Sequence, residues 1–145
     1  MTSTDWLIAE SLPNWETDQR NEFSYFGVTQ RSFGLNEKIK AGDRLITYVI
    51  KVGSFSDIRE VTKDGLRSLP SGGDYEVALP YCMDTRPLLV LPQHKWLPIL
   101  EVKDQLQLMA GRPNWGVIFR ATPVSLTKPD ADLLIKILKS RAVAV

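Results

Sequence analysis

The 145-residue chain holds one cysteine, Cys82, and one histidine, His94. They are the one pair that could form a thiolate–imidazole nucleophile, which requires the two side chains within hydrogen-bond reach. An enzyme acting on a nucleotide or RNA would have to use them, with the carboxylates of Glu10 and Asp84 beside them. One His and one Cys cannot complete an all-protein zinc shell without carboxylates. No GxxxxGKS/T, GxGxxG or GxSxG run is present, so no nucleotide cofactor or serine nucleophile is signalled. The expectation is a protein with no cofactor and no metal.

Aromatic side chains carry more information. Trp6 to Arg31 holds two tryptophans, a Tyr25-Phe26 pair, Gly27 and small polar residues within 26 positions. Such a set can wall a pocket for a flat, polar ring. Trp15 follows Pro13-Asn14 at a turn, where a large ring often lines a cleft, and Phe26 stands beside a glycine. An aromatic face stacked on a base contributes ~1–3 kcal/mol. Ser11, Asn14 and backbone amides near Gly27 can read a ring edge. Arg31, Lys38, Lys40 and Lys51 lie nearby in sequence and can meet phosphate, although taken singly they read as a solvated face. Trp6 and Tyr48 read as core.

These residues need elements to position them. Trp6–Glu10 reads as a buried strand, and Pro13 suits the first turn of a short helix capped by Ser11 or Asn14. Asp18 to Glu22 reads as an exposed, charged connection. Tyr25–Thr29 reads as extended, and Leu35–Ile39 as one helical turn. Arg44–Lys51 is rich in β-branched and aromatic residues and predicts a central strand. Phe55–Thr62 alternates with one slip, which a bulge near Ser56-Asp57 explains. Strands are expected at Glu76–Tyr81 and Pro87–Leu91, a helix over Ile99–Ala110, and a strand over Trp115–Val124. The final helix is the clearest: Thr127 caps it, and Ala131, Leu134, Ile135 and Leu138 form one apolar face. This order is not the regular βαβ alternation of a doubly wound sheet. It predicts an α+β fold, a small β-barrel or curled sheet with peripheral helices.

The totals agree with a single domain over 1–145. Lys and Arg number 18 against 17 Asp and Glu, a net charge of +1. Such balance excludes non-specific coating of nucleic acid and requires a local patch or one recognised nucleotide. No apolar run approaches the ~20 residues of a membrane span. The N-terminal residues lack a secretory pattern, so a cytoplasmic location with no membrane partner is expected.

The ordered set Trp6-Leu7-Ile8, Asn14-Trp15, Phe26-Gly27-Val28 with Arg31, IKAGDRLITYV at 39–49 and FSDIREV at 55–61 resembles the EVE domain family of the PUA-like superfamily. The run at 120–123 and the helix from Pro129 also resemble that family's closing strand and helix. The resemblance implies a mixed β pseudobarrel of five to six strands with peripheral helices. It implies a side pocket that binds a modified nucleobase of RNA or DNA, single-stranded or flipped out. The related YTH domains share the layout. Their lysine–serine pair falls near Glu10-Ser11, their tryptophan near Phe26, and their glycine–serine–phenylalanine stretch at Gly53-Ser54-Phe55. The implied base pocket is Ser11, Asn14, Trp15, Phe26, Gly27, Val28, Gly53, Ser54 and Phe55, with Arg31, Lys38, Lys40 and Lys51 toward phosphate. This chain departs from the pattern with Phe26 where many EVE sequences carry Trp, and with acidic Glu10 where YTH domains have lysine. An enzyme and a protein-interaction module are the alternative readings.

Overall fold

The computed structural model describes residues 3–143. Strand β1 (Asp5–Glu10) leads into helix α1 (Leu12–Arg20), strand β2 (Tyr25–Val28) and a one-turn helix α2 (Phe33–Asn36). Strands β3 (Arg44–Val49), β4 (Ser54–Val61), β5 (Arg67–Ser68) and β6 (Tyr81–Val90) follow. Strands β7 (Leu97–Pro98) and β8 (Val124–Ser125) and helix α3 (Lys128–Val143) come last. The strand path is β2-β6-β4-β3-β1-β8, with β5 beside β6 and β7 beside β4. Only β1 and β3 run parallel. This six-strand path is the mixed α+β pseudobarrel expected from the sequence, and the two-residue β5 and β7 are additions at its margins.

Both faces of the sheet are buried, which follows from strands that are apolar at consecutive positions. On β1, Leu7 enters a core with Ile46, Phe55, Trp96 and Leu134, while Ile8 enters another with Phe26, Leu45, Val61 and Met83. In the β3–β4 pair, Thr47 faces Asp57 and Tyr48 faces Phe55. Ser56 is therefore the extra residue of a bulge, at the place where the alternation slips. Ser11 caps α1, its Oγ accepting from the Asn14 amide at 3.3 Å. Thr127 caps α3 in the same way, at 3.4 Å from the Asp130 amide.

Four expectations are corrected. Asp18 is not part of an exposed connection: α1 continues to Arg20 and Asp18 is fully buried. The two strands expected at 76–81 and 87–91 are one strand, β6, because Cys82, Met83 and Thr85 turn inward and carry the ladder through the polar stretch. Residues 99–110 form 3₁₀ turns at Ile99–Glu101 and Lys103–Gln105 rather than a helix. The Asp130 carboxylate accepts from the Gln107 and Leu108 amides at 2.7 and 3.0 Å, taking up groups a helix would use internally. Trp115–Arg120 is likewise 3₁₀, and the strand that follows is only Val124–Ser125.

Trp15 belongs to the first core. Its ring meets Trp96 edge-on at 4.9 Å between centroids and Phe23 at 5.5 Å, and its Nε1 donates to Asp57 Oδ2 at 2.8 Å. Replacing Trp15 by Phe keeps most of the apolar area and removes that donor. The variant is expected to lose about 1–3 kcal/mol in urea denaturation, the cost of a buried acceptor left short of a partner. An unchanged midpoint would contradict the role given to the indole.

Candidate functional site

Because β2 and β1 stand near opposite ends of the strand path, curling the sheet brings them face to face. The β8 ladder covers only Trp6 and Leu7 of β1. Pro123 then ends the pairing, since proline has no N–H to donate. Ile8, Ala9 and Glu10 are thus left facing Phe26, Gly27 and Val28 across an unzipped seam. A cavity of about 160 Å³ occupies it, walled by these two triplets. Asn14 of α1, Thr29, Ser32 and Asn36 around α2, and Leu79, Thr122 and Pro123 complete the lining. An engineered apolar cavity of ~150 Å³ accepts a benzene ring. The seam therefore has room for one flat ring system.

Gly27 is required where it sits. A Cβ there would lie 2.4 Å from Leu79 Cδ1 and 2.7 Å from Tyr75 Cε2. The Gly27 amide donates to the Tyr75 hydroxyl at 3.0 Å, and that hydroxyl donates to Asp18. The segment before β6 is in this way fastened over β2 and to the buried acid beneath it. Burial, reinforced by Asp18, raises the Tyr75 phenol far above its ordinary value and keeps it a donor.

Behind the cavity lies a charged cluster centred on Arg59, which is fully buried. Its Nη2 donates to Glu10 Oε2, its Nη1 to Asp18 Oδ2 and its Nε to Asp57 Oδ1, each at 2.8 Å. The guanidinium also lies over the Phe23 and Phe26 rings, at 4.9 and 5.8 Å from their centroids. Burial alone would favour a neutral guanidine, but the three carboxyl groups outweigh it and hold Arg59 charged. Asp57 also accepts from Trp15, Thr47 Oγ1 and Ser56 Oγ. Glu10 has no such further donors. Burial first, opposed by Arg59 and then reinforced by the carboxylates of Asp18 and Asp57, raises its carboxyl well above the usual range.

Of the residues expected at a base pocket, the structure brings Asn14, Phe26, Gly27 and Val28 together at this cavity. Ser11 caps α1 and lines a separate shallow groove with Lys51. Trp15 is core, for the reason given above. Gly53 turns the β3–β4 hairpin, Ser54 pairs with Val49 and Pro98, and Phe55 packs on Tyr48. The Gly53–Phe55 stretch therefore does not close the cavity, and Phe26 is its one aromatic wall. Arg31, Lys38, Lys40 and Lys51 are exposed and join none of the ion pairs among the described residues. Exposed Arg31 precedes the lining residue Ser32 in sequence, and exposed Arg120 lies two residues before Thr122. Sequence reasoning missed Asn36, Leu79, Thr122 and Pro123, which reach the seam from distant parts of the chain. The proline after Thr122, placed to stop a strand, was the local signal for the last two.

Cys82 and His94 do not form a dyad. Cys82 is buried opposite Gly27 near the start of β6, and burial raises its thiol. His94 is exposed beyond the other end of that strand, on the order of 25 Å of extended chain away. No group of three or more His, Cys, Asp or Glu among the described residues could hold a metal ion. No helix among them is long and apolar enough to cross a membrane.

No family model matches the chain, and no curated protein matches it by sequence. Solved structures do match in fold. The YTH domain of the Zygosaccharomyces rouxii MRB1 protein, solved in complex with N6-methyladenosine RNA, superposes with a TM-score of 0.67 at 13% identity, over 94% of this chain and 87% of that one. Atu2648 of Agrobacterium tumefaciens gives 0.63 at 15% identity over 98% and 95%. A protein from Pseudomonas putida gives 0.64 at 13% identity over 92% and 98%. The chain thus has the curled sheet and peripheral helices of YTH domains and of small bacterial proteins. Identities this low establish the fold and leave the chemistry to the site.

The Arg59 cluster can be tested alone. Arg59→Met leaves three buried carboxyl groups with no cation, and is expected to cost about 3–5 kcal/mol by denaturant titration at pH 7. The loss should shrink as the pH falls and the carboxyls take up protons. A loss independent of pH would contradict the electrostatic reading.

Proposed function

We propose that the chain is a binding module, not an enzyme, and that it takes a modified nucleobase of RNA or DNA into the β1–β2 seam. The observation that carries this reading is the ring-sized cavity between Phe26 and the polar groups of Glu10, Asn14 and Asn36. A base in a duplex cannot reach such a slot, so the nucleotide is single-stranded or flipped out. Phe26 supplies one stacking face. Ile8, Val28, Leu79 and Pro123 supply aliphatic surface against which an added methyl group is buried. The YTH fold, seen around methylated RNA in another protein, supports the reading, as does the resemblance of the sequence to EVE domains. Arg31 and Arg120 would meet the flanking phosphates.

Calorimetric titration with single-stranded RNA and DNA oligonucleotides, each carrying one modified base or its unmodified counterpart, tests the proposal. The preferred methylated base should bind about fourfold more tightly than its parent, as one buried methyl contributes ~0.8 kcal/mol. Replacing Arg31 and Arg120 together by Ala should flatten the slope of log K against log salt by about 1.4, or ~0.7 per lost contact on a single strand. Failure of every oligonucleotide to bind the folded protein would overturn the proposal.

A further inference from the structure

A second groove is lined by Leu12 and Pro13 of α1, by Ile50, Lys51 and Val52 at the β3–β4 hairpin tip, and by Glu76. Ile50 and Val52 are exposed, as is Val77 beside Glu76 in the chain. Single exposed aliphatic side chains are ordinary on a folded protein, whereas several sharing one groove mark a surface that meets something.

Turn geometry does not account for them. Val49 and Ser54 are the last paired residues, so the loop is 50–53. Lys51 and Gly53 take positive φ, at 71° and 75°. Hairpin loops favour glycine, asparagine and aspartate, and β-branched residues add nothing to a turn. The tip is nevertheless held firmly. The Ile50 amide donates to the Glu10 carbonyl and the Gly53 amide to the Val49 carbonyl, each at 2.9 Å. A surface ordered in advance gives up less conformational freedom on association.

The charges say what fits there. Lys51 and Glu76 are exposed and join none of the ion pairs among the described residues. A nucleic-acid backbone would gain from Lys51 and lose to Glu76, since like charges repel. The complementary partner brings an anion to Lys51, a cation to Glu76 and aliphatic surface to the rest. A second copy of the same groove, related by a two-fold axis, brings that set. In such an isologous contact Lys51 of each copy meets Glu76 of the other. The net charge of +1 puts little overall repulsion in the way.

We propose that this groove is a homodimer interface, in which Ile50 and Val52 pack across a two-fold axis between two Lys51–Glu76 pairs. The proposal is independent of what the seam binds. A patch built from three short segments falls at the small end of specific interfaces, so the dimer should dissociate on the order of 10–100 µM.

Sedimentation velocity of the full chain over roughly 1–500 µM tests it. The wild type should pass from monomer to dimer across that range. Lys51→Glu and Glu76→Lys each set like charges against each other at both pairings, and each should weaken the dimer about tenfold or more at low salt. Ile50→Asp should weaken it as well. An equimolar mixture of Lys51→Glu and Glu76→Lys should recover association, because each variant then supplies the charge the other lacks. The double variant Lys51→Glu/Glu76→Lys should associate like the wild type. A monomer at every concentration would overturn the proposal, as would a dimer that none of the three single substitutions weakens. Single variants that stay monomeric when mixed would overturn the two-fold pairing. A monomer whose Ile50 and Val52 methyl resonances move only on adding an oligonucleotide would assign the groove to nucleic acid and also overturn it.

Discussion

The arrangement depends on one buried cation. Arg59 reaches from the middle of β4 to three acids on three elements: Glu10 on β1, Asp18 on α1 and Asp57 on its own strand. Desolvating an arginine costs several kcal/mol, and only close, well-aligned partners recover it. Those partners fix where α1 sits against the barrel and where β1 ends. A planar fork can meet all three at once, whereas a lysine ammonium could not hold the same geometry. The cluster lies directly behind Phe26 and Glu10, so the element that locks the fold also sets the wall and floor of the seam.

The seam itself is a consequence of incomplete closure. A β-barrel that paired β1 with β2 would have no lateral opening. Here β8 covers two residues of β1 and Pro123 stops it. The unpaired stretch is then roofed by side chains and by the Tyr75 segment. Gly27 lets that segment lie almost in contact with the backbone of β2. Small-molecule sites in β-barrels commonly lie where the barrel is left open, and a few polar groups in an apolar wall set orientation. Glu10, Asn14 and Asn36 are such groups.

The sequence was most legible where the determinants are local. β3 and β4 follow from β-branched residues, and the bulge at Ser56 from a single slip in alternation. The caps Ser11 and Thr127 sit where their side chains had to be. Asp18 was misread because its partner Arg59 lies 41 positions away and nothing nearby marks it as buried. Trp15 was misread for a related reason: its turn-like neighbourhood suggested a cleft, while the indole partner, Asp57, comes from another strand. Residues 99–120 have apolar side chains at spacings that suit neither element cleanly, and 3₁₀ turns form at Ile99–Glu101, Lys103–Gln105 and Trp115–Arg120. Of the seam, the contiguous run Phe26-Gly27-Val28 was visible with Asn14. The residues that complete the lining were not, because the fold brings Asn36, Leu79 and Pro123 together across most of the chain.

The central claim is that burial in the Arg59 cluster raises the Glu10 carboxyl well above the usual range. A ¹³C NMR titration of the side-chain carboxyl carbons tests it most directly. Ordinary glutamates change shift around pH 4.3. The Glu10 carbon should keep the shift of a protonated acid through that range and move only at higher pH, as the folded protein finally releases the proton. Titration of Glu10 together with the exposed glutamates would contradict the account.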